Sequence, residues 1–154
     1  MTSTQVTYQN IKQLLADKGE YVSVISGVSM YPMLRFKKDP VLLHPIGRKL
    51  TAYDVVLYRK GDQYVLHRIL EVCADHCIIR GDNCIGKEFV RKEDIVGLMA
   101  GFWRWGRFVS SSNPVYRFYS RIWVAINPLV RIRFRLGHRY AVAKRRLKDI
   151  WKTP

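Results

Sequence analysis

Between Tyr21 and Phe102 the chain is cut into short apolar runs, each closed by a turn signal, with no helical pattern between them. That punctuation limits the fold more than any other feature. It predicts strands at Tyr21–Ile25, Val41–Leu43, Asp54–Tyr58, Gln63–Val72, Cys77–Arg80 and Ile95–Gly101. Lys60-Gly61-Asp62 reads as a hairpin turn, and Ala74-Asp75-His76 as a second. Strands of this number and spacing predict a mainly β (α+β) class with a compact, antiparallel, partly closed β core.

The flanks read differently. Over Thr7–Lys18, Tyr8, Ile11, Leu14 and Leu15 share one helical face, and Gly19 is a stop signal. A short amphipathic helix packed on the core is expected there. Beyond Gly101 comes an aromatic, basic stretch, Phe102–Phe108, and then a linker-like Ser110-Ser111-Ser112-Asn113-Pro114. Val115, Phe118, Tyr119, Ile122, Ile126, Leu129 and Val130 then fall on one helical face. Asn127-Pro128 should break or kink that helix, and a basic second helix is expected from about Leu129 to Trp151. The organisation is therefore a helix at 1–20, a core at 21–108 and a basic helical tail at 109–154.

Charge separates the same parts. The net charge is +15, but residues 1–100 hold 14 Lys/Arg against 11 Asp/Glu, whereas residues 101–154 hold 13 against Asp149 alone. A polyanionic partner thus concerns the tail, whether nucleic acid or an anionic membrane surface. The apolar face at 113–152 suits lipid or protein better than phosphate, so a membrane surface is the expected partner and nucleic acid is not. The sequence does not fix the oligomeric state.

Cys73, Cys77 and Cys84 lie near His76, a set for which zinc is conceivable, but the spacing lacks a Cys-x-x-Cys pair and offers no clear fourth ligand, so neither metal nor cofactor is expected. An odd thiol count without a secretory leader suits a reducing compartment. No apolar run reaches transmembrane length, so peripheral membrane association is the expectation and a cytoplasmic location the alternative.

One loop carries a candidate nucleophile. In Ser26-Gly27-Val28-Ser29-Met30-Tyr31-Pro32-Met33-Leu34, Ser29 follows the end of an expected strand. Gly27 frees the backbone on one side, and Pro32 fixes it on the other. Serine needs a neighbouring base. His67, in Tyr64-Val65-Leu66-His67-Arg68-Ile69-Leu70, shares a strand face with Val65 and Ile69, an apolar setting that favours neutral imidazole. Lys60 competes but falls in an exposed turn, a poor setting for a base. His44 and His76 lie beside turns, and His138 lies in the tail. A carboxylate that holds the imidazole in its working tautomer has two candidates, Asp82 in Arg80-Gly81-Asp82-Asn83 and Glu88.

These motifs, in this order, resemble the type I signal peptidase family. They are Ser29-Met30-x-Pro32-x-Leu34, Tyr53-Asp54-Val55-Val56-Leu57, His67-Arg68-Ile69, Gly81-Asp82-Asn83 and Glu93-Asp94-Ile95-Val96-Gly97. The similarity spans roughly residues 21–105. The family is related in fold to the self-cleaving domain of LexA-type repressors. Most bacterial members carry a lysine base before the Arg of the second motif, whereas His67 stands there in this chain. The arrangement is similar to the archaeal and endoplasmic-reticulum subclass. The resemblance implies Ser29 as nucleophile and oxyanion N–H, His67 as base, and Asp82 as the Gly-Asp-Asn acid. Glu88 stands where that subclass has a further aspartate. Ser26 would add oxyanion support, one residue further from the nucleophile than in the shorter Ser-Gly-Ser-Met form.

The resemblance implies a serine endopeptidase that removes a signal or leader peptide from a precursor through an acyl-enzyme. Here the usual N-terminal anchor and the large insert of many bacterial members are not seen. The alternatives are a non-catalytic or self-cleaving LexA-like relative on the same fold, and a basic nucleic-acid-binding module.

Overall fold

Two residues, Gly61 and Asp62, join β3 (Val55–Lys60) to β4 (Gln63–Val72), with Lys60 opposite Gln63. Gly61 has φ +59°, the left-handed conformation that a tight glycine-first hairpin needs. The computed structural model describes residues 11–127 of the chain. Around this hairpin the other strands assemble: β1 (Tyr21–Val24), β2 (Pro40–His44), β5 (His76–Arg80), β6 (Glu88–Arg91), β7 (Ile95–Arg104) and β8 (Arg107–Ser110).

All pair antiparallel in one sheet, in the order β1-β2-β7-β3-β4-β5-β6, with β8 on β7. The class is mainly β, as the punctuation predicts. β1 and β6 end the order without pairing to each other, so the sheet is open. β7, as long as β4 at 10 residues, is an interior strand. β2 covers its residues 98–102, while β3 (95–98) and then β8 (101–104) share its opposite edge.

Two strands were not legible. β6 is four residues long with only Val90 buried. β8 falls within the stretch read as aromatic and basic and the start of the expected linker. There Trp105 (φ +49°) and Gly106 (φ +76°) form a tight turn, and Trp103 and Phe108 pair across the strands at 4.9 Å. Trp103 and Phe108 are thus cross-strand partners.

Strand alternation sorts the interior into two clusters. Val55 and Leu57 face one with Met30, Met33, Leu34, Leu43 and Met99, and Val56 and Tyr58 face the other with Ile69, Cys77, Ile79 and Ile95. Helix α1 (Ile11–Lys18) closes the first cluster by burying Leu15, which lies over Gly97. That burial contributes about 1.5–3 kcal/mol.

Residues 114–127 form a second described helix, α2. The backbone N–H groups of Val115 and Tyr116 donate to Asn113 Oδ1, and Pro114 occupies the first turn, a favoured N-terminal arrangement. Its orientation departs from simple amphipathicity. Val115, Phe118, Ile122 and Ile126, expected on one apolar face, are exposed, whereas Tyr116, Ser120 and Asn127 are buried against the core. The reason is chemical: α2 covers a polar network, described below, and meets it with hydrogen-bonding side chains. The first part of the Thr7–Lys18 helix, the basic second helix from about Leu129, and His138 lie outside the described residues. Among the described residues no helix is long and apolar enough to cross a membrane.

Candidate active site

The loop between β1 and β2 is anchored at both ends. Lys37 N–H donates to Ile25 O at 3.1 Å, and Met30, Met33 and Leu34 are buried. Arg104 Nη1 donates to the carbonyls of Pro32 (3.0 Å) and Met33 (2.9 Å) and to Asp39 Oδ2 (3.0 Å). Tyr31–Pro32 is a cis peptide bond. Ser29 is therefore held between an exposed Val28 and a buried Met30.

Asn83 fixes the same segment from the far side. Its backbone N–H donates to Ser29 O at 2.7 Å, and its side-chain amide donates to Val28 O at 3.3 Å. Gly81 lies at the closest point of the assembly. A Cβ there would stand 2.7 Å from Ser29 O, 2.8 Å from Cys84 Sγ and 2.9 Å from His67 Nε2. Only a glycine fits between the Ser29 backbone and the imidazole.

His67 is buried on β4 opposite Val56, which places Tyr58 diagonally across on the same face. The Tyr58 hydroxyl lies 3.1 Å from His67 Nδ1 and donates to Glu88 Oε2 at 3.1 Å. Glu88 Oε1 is 3.6 Å from Nδ1, and Lys60 Nζ donates to Glu88 Oε2 at 2.7 Å. Burial raises the Glu88 carboxyl, but the hydrogen bonds from Lys60 and Tyr58 outweigh it and hold the group below its usual range. Ionised Glu88 can only accept. The single Tyr58 proton therefore goes to Glu88, and the Tyr58 oxygen accepts from His67 Nδ1–H. This network leaves the Nε2 lone pair free, on the side of Gly81 and Ser29.

The electrostatics favour a neutral imidazole. Burial disfavours imidazolium and keeps His67 below its ordinary value, against the opposing pull of Glu88. Burial, with Glu88 nearby, pushes the Tyr58 hydroxyl well above its usual range, so it stays a donor. Burial and Glu88 also raise the Cys84 thiol, which makes it a weak nucleophile.

Asp82 serves another partner. Because consecutive residues of β4 point to opposite faces, Arg68 faces away from Tyr58 and Glu88. Its guanidinium grips Asp82 through Nε–Oδ1 and Nη2–Oδ2, both 2.8 Å, with both side chains fully buried. The same Arg68 donates to Tyr53 O (3.1 Å), Tyr116 Oη (3.3 Å), Ser120 Oγ (2.9 Å) and Met33 Sδ (3.0 Å).

No protein-family model matches the chain, and no curated protein matches it significantly.

Of the residues singled out in the sequence, Ser26, Ser29, His67 and Glu88 line one cavity of 660 Å³. Asp82 is not among its lining residues. Lys60 reaches the cavity as the partner of Glu88. His44 and His76 lie elsewhere, the latter against Asp75 at 2.6 Å. All three cysteines are free thiols, and among the described residues no group of three or more His, Cys, Asp or Glu side chains is placed to hold a metal ion.

Sequence reasoning missed Tyr58, taken only for a strand residue. The signal was available: counting back from the Gly61-Asp62 turn sets Val56 opposite His67 and Tyr58 diagonal to it.

Two strand edges border the cavity. Among the described residues β1 pairs only with β2, and β4 pairs with β5 only from Arg68 onward. The outer edges of β1 and of residues 63–67 thus have no strand partner among the described residues, and Ser23, Val24, Gln63 and Val65 line the cavity between them. Unpaired strand edges offer backbone donors and acceptors to an added strand.

Proposed function

We propose that this chain is a serine endopeptidase of the signal peptidase I type, cutting a signal or leader peptide from a precursor. The observation that carries the reading is the orientation of His67. Its Nδ1 side is tied to Tyr58 and Glu88, and its free Nε2 faces Gly81 and the Ser29 segment.

The chemistry follows from those positions. An extended substrate enters the slot between β1 and β4. His67 Nε2 takes the Ser29 hydroxyl proton as Oγ attacks the scissile carbonyl carbon. Glu88, acting through Tyr58, stabilises the imidazolium that forms. The Ser29 backbone N–H makes no hydrogen bond among the described residues and serves the developing oxyanion, with the exposed Ser26 hydroxyl as a second donor. Collapse passes the proton from His67 to the leaving amine and leaves an acyl-Ser29 ester. Water, deprotonated by the same imidazole, then releases the acyl product and regenerates the serine. A panel of leader-like peptides with small residues before the cleavage point, read by mass spectrometry, tests the reading. Cleavage by the native chain and none by Ser29→Ala is expected; retained cleavage by purified Ser29→Ala ends it.

The substrate would be met at a membrane surface. Val115, Phe118, Ile122 and Ile126 are exposed on α2, and Arg117 and Arg121 are exposed on the same helix. An apolar stripe flanked by arginines, in a segment with 13 basic residues against one acid, suits peripheral binding to anionic lipid. Cosedimentation with anionic but not neutral vesicles is expected, and equal partitioning to both rejects the proposal.

A further inference from the structure

We propose that α2 completes the catalytic centre, with Trp123 and Asn127 as positioning residues for Ser29 and His67. The inference rests on the serine-peptidase reading of the site and adds to it a part that the resemblance does not supply.

The peptide around Asp82 is the junction. Its side chain is engaged by Arg68, and its backbone carbonyl accepts two hydrogen bonds from α2, from Asn127 Nδ2 at 2.9 Å and Trp123 Nε1 at 3.2 Å. Two donors use both lone pairs of that oxygen. On one side of the junction, Gly81 lies against His67 Nε2 and Ser29 O. On the other, Asn83 N–H holds Ser29 O at 2.7 Å. One three-residue segment thus touches base and nucleophile at once, and α2 fixes its middle.

The helix face is built for that task. Tyr116, Ser120, Trp123 and Asn127 recur at helical spacing on one side. Ser120 Oγ accepts from Arg68 and donates to Tyr116 O at 2.9 Å, and Arg68 also reaches Tyr116 Oη. Meanwhile Val115 (75% exposed) and Phe118 (65%) point outward. A helix docked mainly to bury hydrocarbon would turn those residues inward. This one turns hydrogen-bonding groups inward, onto the segment beside the nucleophile. A misplacement of about 1 Å at such a site costs about a hundredfold in rate.

The test uses the full chain carrying Trp123→Phe and Asn127→Ala, singly and together. Trp123→Phe keeps an aromatic ring beside Tyr119, whose ring lies 6.2 Å from the Trp123 ring, and removes the N–H donor. Amide hydrogen exchange reads the segment directly. Asn83 N–H should exchange at least tenfold faster in the double variant, with the core amides of Ile69 and Ile79 unchanged. Labelling of Ser29 by a fluorophosphonate should slow at least tenfold in parallel, with kcat reduced and KM for a cleaved peptide held. Unchanged Asn83 exchange, or unchanged labelling with accelerated exchange, overturns the proposal. If the double variant unfolds, Trp123→Phe alone carries the same readouts. A native chain that is never labelled, with Asn83 exchange still accelerated in the variant, counts against the peptidase reading and leaves the α2 clamp on Asp82 standing.

Discussion

His67 Nδ1 and Glu88 Oε1 lie 3.6 Å apart, and the Tyr58 hydroxyl bridges the two side chains with 3.1 Å contacts to each. This relationship assigns different work to the two acids of the sequence. Glu88 is the carboxylate beside the imidazole. Asp82, 14 residues after Arg68, is the carboxylate that neutralises a buried guanidinium. The two should therefore fail differently when replaced.

Replacing Glu88 with Gln turns an acceptor-only carboxylate into an amide that also donates, and removes the charge that stabilises imidazolium. Peptide cleavage should fall about a hundredfold or more, with the urea midpoint close to that of the native chain, because Glu88 is part-exposed at the cavity. Tyr58→Phe breaks the same bridge and should lower kcat in the same direction. Steady-state kinetics beside urea denaturation checks both.

Asp82→Ala should act first on the fold. It leaves Arg68, with a side chain 0% exposed, without its counter-charge. Removing one partner of such a buried pair costs about 3–5 kcal/mol. Urea denaturation is the measurement. A variant of native stability with lost activity would place Asp82 in the chemistry.

The pH dependence has a definite sign. A base must be neutral to work, and burial holds the His67 pKa below 6.5. The acid limb of kcat/KM should therefore have its midpoint below 6.5 and be flat through neutrality. Glu88 raises the His67 pKa and Lys60 lowers it. Glu88→Gln should move the limb to lower pH, and Lys60→Met should move it to higher pH. Lys60→Met should also retain cleavage within about tenfold, whereas a lysine base would lose general-base catalysis, about 10²–10⁴-fold. A pH–rate profile of the three proteins decides.

Gly81→Ala should abolish cleavage with the sheet intact. The added methyl meets Ser29 O, Cys84 Sγ and His67 Nε2, all within 2.9 Å, so Ser29 and His67 are pushed apart. Paired with Cys84→Ala, the change should recover part of the loss, because one of the three contacts is relieved. A circular dichroism spectrum beside the kinetic assay separates this from unfolding.

Much of the core was legible because its determinants are local. Alternation and turn residues place β3, β4 and β5 to within a residue or two, since the Gly61-Asp62 hairpin sets its own register. Ser29, His67 and Glu88 were legible as chemical types at motif positions. What was hidden is long-range. β6 and β8 are four-residue strands whose pairing comes from neighbours already in place, as with Glu88–Arg91 against β5. The division of labour between Asp82 and Glu88 depends on which face of β4 each meets. The inward face of α2 was misleading for a related reason: hydrophobic periodicity points to Val115, Phe118 and Ile122, but the surface that receives the helix is the Arg68–Asp82 pair.

The central claim is that Ser29 is activated by His67. A fluorophosphonate probe tests it without knowledge of the natural substrate, because the reagent needs only an activated serine. Mass spectrometry of the labelled native chain should place the adduct on Ser29. Ser29→Ala should take up no label, and His67→Ala should be labelled slower by about a hundredfold or more. Labelling at another residue, or equal labelling of His67→Ala and the native chain, would contradict the account.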